Sequence, residues 1–291
     1  MQIFDKITFD SLNGFLARVE EKFVSDVIFY YGQLHPAYLR PFKDFIERLK
    51  NDPKTKIRLV IFLNTPGGSV EAVEYMVRII RFHYDEVYFV IPDAAFSAGT
   101  IFCMSGDKIY MDYSSSLGPI DPQVYLKEKD TFVPALGYLD KVDELIKKSN
   151  NGTLSPAEFA LLQSQDLAML RSYEQAKELT IKLLEEWLVK YKFKDWTEHG
   201  TNQNKKGMPV TDDEKRKRAV DIASALGNNT KWLSHGRYIG IDFLRYELKL
   251  KIEDFSTSKD LKEAIKDYND IICEYVLKNN IPVFFHSRIL Y

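Results

Sequence analysis

Val87-Tyr88-Phe89-Val90-Ile91, followed by Pro92-Asp93-Ala94-Ala95-Phe96-Ser97-Ala98-Gly99-Thr100, is the stretch from which the rest of the chain can be read. The first five residues are a strand-forming apolar run. Small residues then let a helix begin close to the chain that precedes it. Ser97 falls in the turn, where a side chain can point out of the sheet edge while nearby backbone N–H groups lack helical partners. Two uses of Ser97 are open. It is a nucleophile, or it caps the helix N-terminus, which is the commoner use of such a residue.

The same rhythm extends on both sides. Val27-Ile28-Phe29-Tyr30-Tyr31 reads as a buried strand ended by Gly32, and residues 36–50 carry Leu39, Phe42, Phe45, Ile46 and Leu49 at helical spacing. Residues 57–63 form a second strand that runs into Pro66-Gly67-Gly68 and then a helix to about Phe82. The quoted run is the third strand, the Ser97 helix continues to about Ser105, and residues 107–111 are the fourth strand. Strands alternating with helices predict an α/β fold with a mostly parallel sheet covered by helices. Residues 1–22 carry a weaker helical face.

After Asp121 the pattern turns helical. Residues 139–149 are one helix, and Ser155-Pro156-Ala157-Glu158 is a strong start for another, whose stripe continues to about Tyr191. A helix of that length is an arm that meets a partner subunit or a helix of the core. Residues 194–210 read as loop, Thr211 to Glu214 as a capping box for a helix ended by Gly227, and 242–248 as a short helix. A strand at 250–252 and an amphipathic helix at 258–278 complete the chain. The expected organisation is a core over residues 1–150, a helical extension over 151–229 that is a candidate oligomerisation arm, and a return to the core over 230–291.

Composition bounds the function. A chain of 291 residues with net charge −2, 45% hydrophobic and 28% charged residues is balanced like a globular protein, with no tail for nucleic acid. Residues 1–10 hold Asp5, Lys6 and Asp10, which excludes a secretory signal, and no run reaches the roughly 18 apolar residues of a membrane span. Cys103 and Cys273 lie far apart in apolar surroundings and read as free thiols of a reducing, cytoplasmic protein. His83, His199 and His286 are isolated, no spacing suggests zinc, and no cofactor is expected.

A serine hydroxyl becomes a useful nucleophile only with a base and with donors for the developing oxyanion. Gly67 and Gly68 end a strand and open a helix, so their turn can present its N–H groups. The amide of Ala98, beside Ser97 at the start of its helix, is the natural second donor. No lysine with Ser or Thr follows the glycines, as a P-loop would need.

Three stretches taken together, Asn64-Thr65-Pro66-Gly67-Gly68-Ser69, the Ser97 turn, and Ser115-Ser116-Leu117-Gly118-Pro119-Ile120-Asp121-Pro122-Gln123, resemble the Clp-fold serine proteases. The closest match looks like the serine dehydrogenase proteinase family, over about residues 24–150 and more loosely 230–253. The resemblance implies a Clp/crotonase-like spiral of ββα units, a homo-oligomer, Ser97 as nucleophile, and the amides of Gly68 and Ala98 as oxyanion hole. In the Clp subunit a histidine follows the nucleophile helix and an aspartate comes later. Here those loci fall at about Ile120 or Asp121 and at about His235 or Gly236.

Two bases are therefore open. In one, His235 acts on Ser97 and Asp121 orients it, an inverted order of a kind that triads tolerate. In the other, Lys141, 44 residues after Ser97, is the base, as in the related signal peptide peptidases, and would have to be buried enough to lose its proton near neutral pH. The spacing leans narrowly to Lys141. Each residue also has a bland use: Lys141 as a solvated helix residue, His235 satisfying a loop backbone, Asp121 in an Asx turn or paired with Arg237.

The expected function is an intracellular, ATP-independent serine peptidase acting on peptides or unfolded protein. A crotonase-like acyl-CoA enzyme and an inactive scaffold that kept the fold are the alternatives.

Overall fold

The computed structural model describes residues 3–126, 131–200 and 203–289. In chain order the elements are α1 (Ile3–Phe23), β1 (Asp26–Gly32), α2 (Leu39–Lys50), β2 (Arg58–Asn64), α3 (Val70–His83), β3 (Glu86–Val90), β4 (Ala94–Ala95), α4 (Ala98–Cys103) and β5 (Lys108–Met111). There follow β6 (Ser116–Leu117), β7 (Gln123–Leu126), β8 (Thr131–Pro134), α5 (Ala135–Asn150), α6 (Pro156–Gln163), α7 (Leu167–Trp187) and α8 (Asp212–Leu226). The last are α9 (Asn229–Trp232), β9 (Glu253–Asp254), α10 (Lys259–Lys278) and β10 (Val283–His286).

The main sheet runs β10-β1-β2-β3-β5-β9, parallel throughout except for β10 at the edge, which lies antiparallel to β1. This is the α/β architecture that the strand–helix rhythm predicts. Its strands are apolar on both faces because both faces are covered. Val27 and Phe29 of β1, Val60 and Phe62 of β2, and Tyr88 and Val90 of β3 pack with α1 and α10. Ile28 and Tyr30, Leu59, Ile61 and Leu63, and Val87 and Phe89 pack on the opposite side with α2, α3, α4, α7 and α8. Each fully buried side chain of this size contributes about 1.5–3 kcal/mol. α7 and α8 thus share one core with the sheet, through Leu183, Leu184, Trp187, Ala219 and Ile222.

Several elements differ from the sequence reading. The stripe from 155 to 191 is not one helix: α6 ends at Gln163, and α7 restarts after Asp166, whose carboxylate accepts from the N–H groups of Ala168 and Met169. A π-type turn over Leu188–Lys192 follows it. The short helix expected at 242–248 is another π-type turn, Phe243–Glu247, and the strand expected at 250–252 lies at Glu253–Asp254, where β5 pairs with it. The pairs β4–β6 and β7–β8 and the edge strand β10 had no reading. These strands are two to four residues long, too short for a periodicity to show.

Parallel strands bring their carboxyl ends to one edge of the sheet, the usual location of a site in such a fold. β2 ends into Thr65, Pro66, Gly67 and Gly68, and β3 ends into the turn that holds Ser97. The opposite edge is closed by Arg288, which pairs with Glu20, Asp52 and the fully buried Asp26.

Candidate active site

Thr65 is the hinge between the two loops. Its N–H donates to Ala94 O at 3.0 Å, and its carbonyl accepts from Phe96 N–H at 3.0 Å. Ala95 in turn pairs with Leu117 of β6. These bonds hold the chain on either side of Ser97, which has φ 53° and ψ −117°. A non-glycine residue in such a conformation costs on the order of 1–3 kcal/mol and persists only where its surroundings over-determine it.

Ser97 stands at the N-cap position of α4, yet its side chain makes no capping hydrogen bond. The contrast within the same chain is informative. Ser69, Ser155, Thr211 and Ser258 each accept from a backbone N–H three residues on. The capping role open to Ser97 in the sequence is not the one its hydroxyl plays. It is half-buried, on a strained strand-to-helix turn that leaves the Oγ free.

The glycine turn lies against this serine. A Cβ on Gly67 would stand 2.8 Å from Ser97 Cβ and 2.9 Å from Phe96 O, so only glycine lets the two turns approach. Gly68 (φ +150°) is fixed by the neighbouring chain: Leu34 N–H donates to Gly67 O at 2.9 Å and Ser69 N–H donates to Leu34 O at 2.8 Å. Gly67 N–H is taken by Thr65 Oγ1 at 3.0 Å. The N–H groups of Gly68 and Ala98 have no protein acceptor among the described residues. Ala98 is wholly buried at the first turn of α4, where an N–H has no helical partner.

The structure brings Asp121 and His235 together. His235 Nδ1 lies 2.8 Å from Asp121 Oδ1, across 114 residues of sequence. Asp121 is 2% exposed, and its other oxygen accepts from Gln123 Nε2 at 2.8 Å. The carboxylate closes neither an Asx turn nor a pair with Arg237, which is exposed. A neutral ring paired with an ionised carboxylate, which only accepts, carries its proton on Nδ1 and its lone pair on Nε2.

Four contacts tie this pair to the serine turn. The buried Thr100 hydroxyl lies 2.9 Å from the Ala95 and Gly118 carbonyl oxygens and accepts from Gly118 N–H. Phe96 packs so tightly on Gly118 that a Cβ there would meet its ring at 2.6 Å. Leu117 and Ile239 exchange both backbone hydrogen bonds, at 3.0 and 2.9 Å. The Tyr238 ring packs edge-on against Phe96, with centroids 5.3 Å apart.

Among the described residues Lys141 makes no hydrogen bond or ion pair with Ser97, Asp121 or His235. It stands on α5 with its side chain 58% exposed and its ammonium 2.9 Å from Glu144, a solvated helix residue in an i,i+3 ion pair. The spacing that favoured Lys141 counts residues along the chain, and α5 spends them pointing it at solvent. The other four histidines have other partners: His35 Nδ1 accepts from Ala37 N–H, His83 packs against Phe82, His199 lies beside Glu214, and His286 is buried against Tyr268. Among the described residues no group of His, Cys, Asp and Glu gathers in a way that could hold a metal ion. Gln123, Thr65 and Thr100 had no assigned role in the sequence reading. Only Gln123 left a signal there, a polar side chain two residues from Asp121.

A model of the ClpP-like SDH-type serine proteinases matches residues 44–230, a span that includes Ser97 and Asp121 and stops before His235. The chain is 31% identical over 104 residues to the uncharacterized protein MJ0137 of Methanocaldococcus jannaschii, covering 35% of this chain and 36% of that one. It is 33% identical over 64 residues to the uncharacterized protein MJ1495 of the same organism, covering 22% of each. The chain therefore spans about a third of one relative and about a fifth of the other. Among the described residues no helix is long and apolar enough to cross a membrane.

Proposed function

The chain belongs to the ClpP-like SDH-type serine proteinases, and from that premise we propose that it hydrolyses peptide bonds with Ser97 as nucleophile, His235 as base and Asp121 as the carboxylate that orients it. The observation that carries this reading is the 2.8 Å contact of His235 Nδ1 with buried Asp121, tied to a serine at φ 53° with no capping bond.

Ser97 Oγ attacks the scissile carbonyl carbon while His235 Nε2 takes the hydroxyl proton. Asp121 stabilises the imidazolium that results. The carbonyl oxygen becomes an oxyanion and receives the N–H groups of Gly68 and Ala98, each worth about 3–4 kcal/mol in a preorganised site. The imidazolium then gives its proton to the leaving amine, and an acyl-enzyme remains on Ser97. Water, deprotonated by the same nitrogen, releases the acid. No nucleotide enters these steps, in keeping with an ATP-independent peptidase.

The substrate class proposed is peptide or unfolded protein. A homo-oligomer is supported by the apolar side chains left exposed on α6 and α7: Phe159, Leu161, Leu167 and Met169. Casein or peptide hydrolysis and labelling by a fluorophosphonate test the chemistry. Ser97→Ala is expected to abolish both, His235→Ala to lower both by about 10³-fold or more, and Lys141→Ala to leave both within about two-fold. A Ser97→Ala protein that cleaves at the wild-type rate would falsify the reading, and an inactive Lys141→Ala protein would return the base to Lys141.

A further inference from the structure

We infer that Gln123 is a positioning residue of this site: it holds the second oxygen of Asp121 and so keeps the carboxylate turned toward His235. The inference rests on the reading of Asp121 and His235 as the acid–base pair.

Asp121 is 2% exposed, so water has little access to either oxygen. His235 serves Oδ1 and Gln123 Nε2 serves Oδ2, each at 2.8 Å. A buried carboxylate oxygen with no donor carries a penalty that grows with its charge. The acceptor-only carboxylate also fixes which end of the amide faces it, since the Gln123 oxygen would be repelled and its NH2 is attracted. With one donor at each oxygen, the carboxylate plane is set by two points. With one donor it is free to turn about its Cβ–Cγ bond.

Gln123 is suited to this task because its own backbone is held. It opens β7 and stands opposite Pro134 of β8. The base of that hairpin is closed by Ala135 N–H donating to Pro122 O at 2.8 Å. Pro122, between the two side chains, has a ring-restricted φ and leaves little slack in the two-residue link. The side chain is half-buried, so it starts from a fixed origin and crosses a short protected distance. The histidine has less support. The His235 side chain is 23% exposed and lies on a loop in which Gly236 N–H donates to Ser234 Oγ and Arg237 N–H donates to Ser234 O. Its ring orientation therefore depends on where Asp121 Oδ1 points, and that depends on Gln123.

The test compares wild type with Gln123→Met, which matches the length of the side chain and lacks the donor. Steady-state peptide hydrolysis is normalised to the fraction of Ser97 titrated by fluorophosphonate, and nitrogen NMR reports the His235 tautomer. The expected result is a 10–100-fold fall in kcat per titrated site with KM within two-fold, and loss of the pure Nδ1–H tautomer. A merely structural role would lower the melting temperature and the titratable fraction and leave kcat per site unchanged. An active wild type whose Gln123→Met variant keeps both kcat per site and the tautomer overturns the positioning role alone. A wild type that neither cleaves peptide nor takes the label overturns the catalytic reading and this inference with it.

Discussion

His286 should make this fold acid-labile in a defined window. It is the last residue of β10, fully buried, with its ring against Tyr268 and its Nδ1 2.9 Å from the Tyr268 hydroxyl. Its Nε2 is buried with no hydrogen-bond partner among the described residues. Burial pushes the imidazole from its ordinary 6.5 down to about 4, because nothing nearby receives the charge. The unfolded chain takes up a proton near 6.5 and the folded chain only near 4, so unfolding is accompanied by proton uptake throughout that interval. The stability contributed by the neutral ring is fully present above 6.5 and is lost as the pH falls toward 4. At 1.36 kcal/mol per pH unit, the loss is about 2 kcal/mol at pH 5 and about 3 kcal/mol by pH 4. Urea unfolding at pH 7.5 and pH 5.0, on wild type and on His286→Asn, isolates this term. The variant loses stability at both pH values from the altered packing, but its pH-dependent loss should be smaller than that of wild type by about 2 kcal/mol. Carboxylates held below their ordinary range, such as Asp107 and Glu86, contribute equally to both proteins and cancel. Equal losses between the two pH values would show that the ring titrates alike in the folded and unfolded chains, and the burial argument would be wrong.

Three other perturbations follow from the geometry. Gly68→Ala places a Cβ 1.9 Å from Leu34 O at φ +150°, so the turn must move and take with it the N–H proposed as an oxyanion donor; on that reading fluorophosphonate labelling should fall by about 100-fold or more. Arg288→Ala removes the cation shared by Glu20, Asp26 and Asp52 and leaves the fully buried Asp26 without a counter-charge, which should cost about 3–5 kcal/mol in urea unfolding. Cys103 is wholly buried with its thiol pushed far up, and burial with the nearby Asp93 pushes Cys273 up to about 12. Neither thiol should take up iodoacetamide in the native protein at pH 7.5, whereas both should in urea, as mass spectrometry would read.

What the sequence made legible follows from length and contrast. β1, β2 and β3 are apolar runs of five to seven residues bounded by turn residues, and a run of that kind has few other uses in a globular chain. The capping boxes at Ser155 and Thr211 were readable because the signal is local, with both partners within three residues. β4 and β6 have two residues each and exist only because the chain beside them is held in place, so their pairing is tertiary information. The same is true of the base. The sequence leaned narrowly to Lys141 over His235 because spacing carries no information on exposure. The structure shows what spacing could not: Lys141 on a helical face turned to solvent, and His235 against Asp121 on a loop bridged to β6, which is the ground on which His235 is proposed. Ser97 lay between, since its position was plain, but its strained backbone and missing cap bond were visible only in three dimensions.

The exchange of histidine and aspartate between the two loci has a geometric basis. In the Clp arrangement the residue after the nucleophile helix is the base and the later residue orients it. Here the first locus holds Asp121 and the second holds His235, and the side chains still meet at 2.8 Å. A contact between two loci is indifferent to which side supplies the ring, so the pair survives the exchange as a pair. On the proposed reading, what must change is the direction from which the ring would approach Ser97, and this requires the second locus to be fixed against the serine turn. The Leu117–Ile239 bridge and the Phe96–Tyr238 contact provide that fixing. The helices between the loci bring the chain back to that place. Ile120 N–H donates to Leu226 O at the end of α8, and Gly227 lies against the Ile120 side chain. The segment bearing His235 thus leaves α8 already docked beside Asp121. On the proposed reading α8 sets where the base enters. Its own core residues, Ala219 and Ile222, lie in the same cluster as the sheet, so the placement of His235 and the packing of the sheet rest on the same helix.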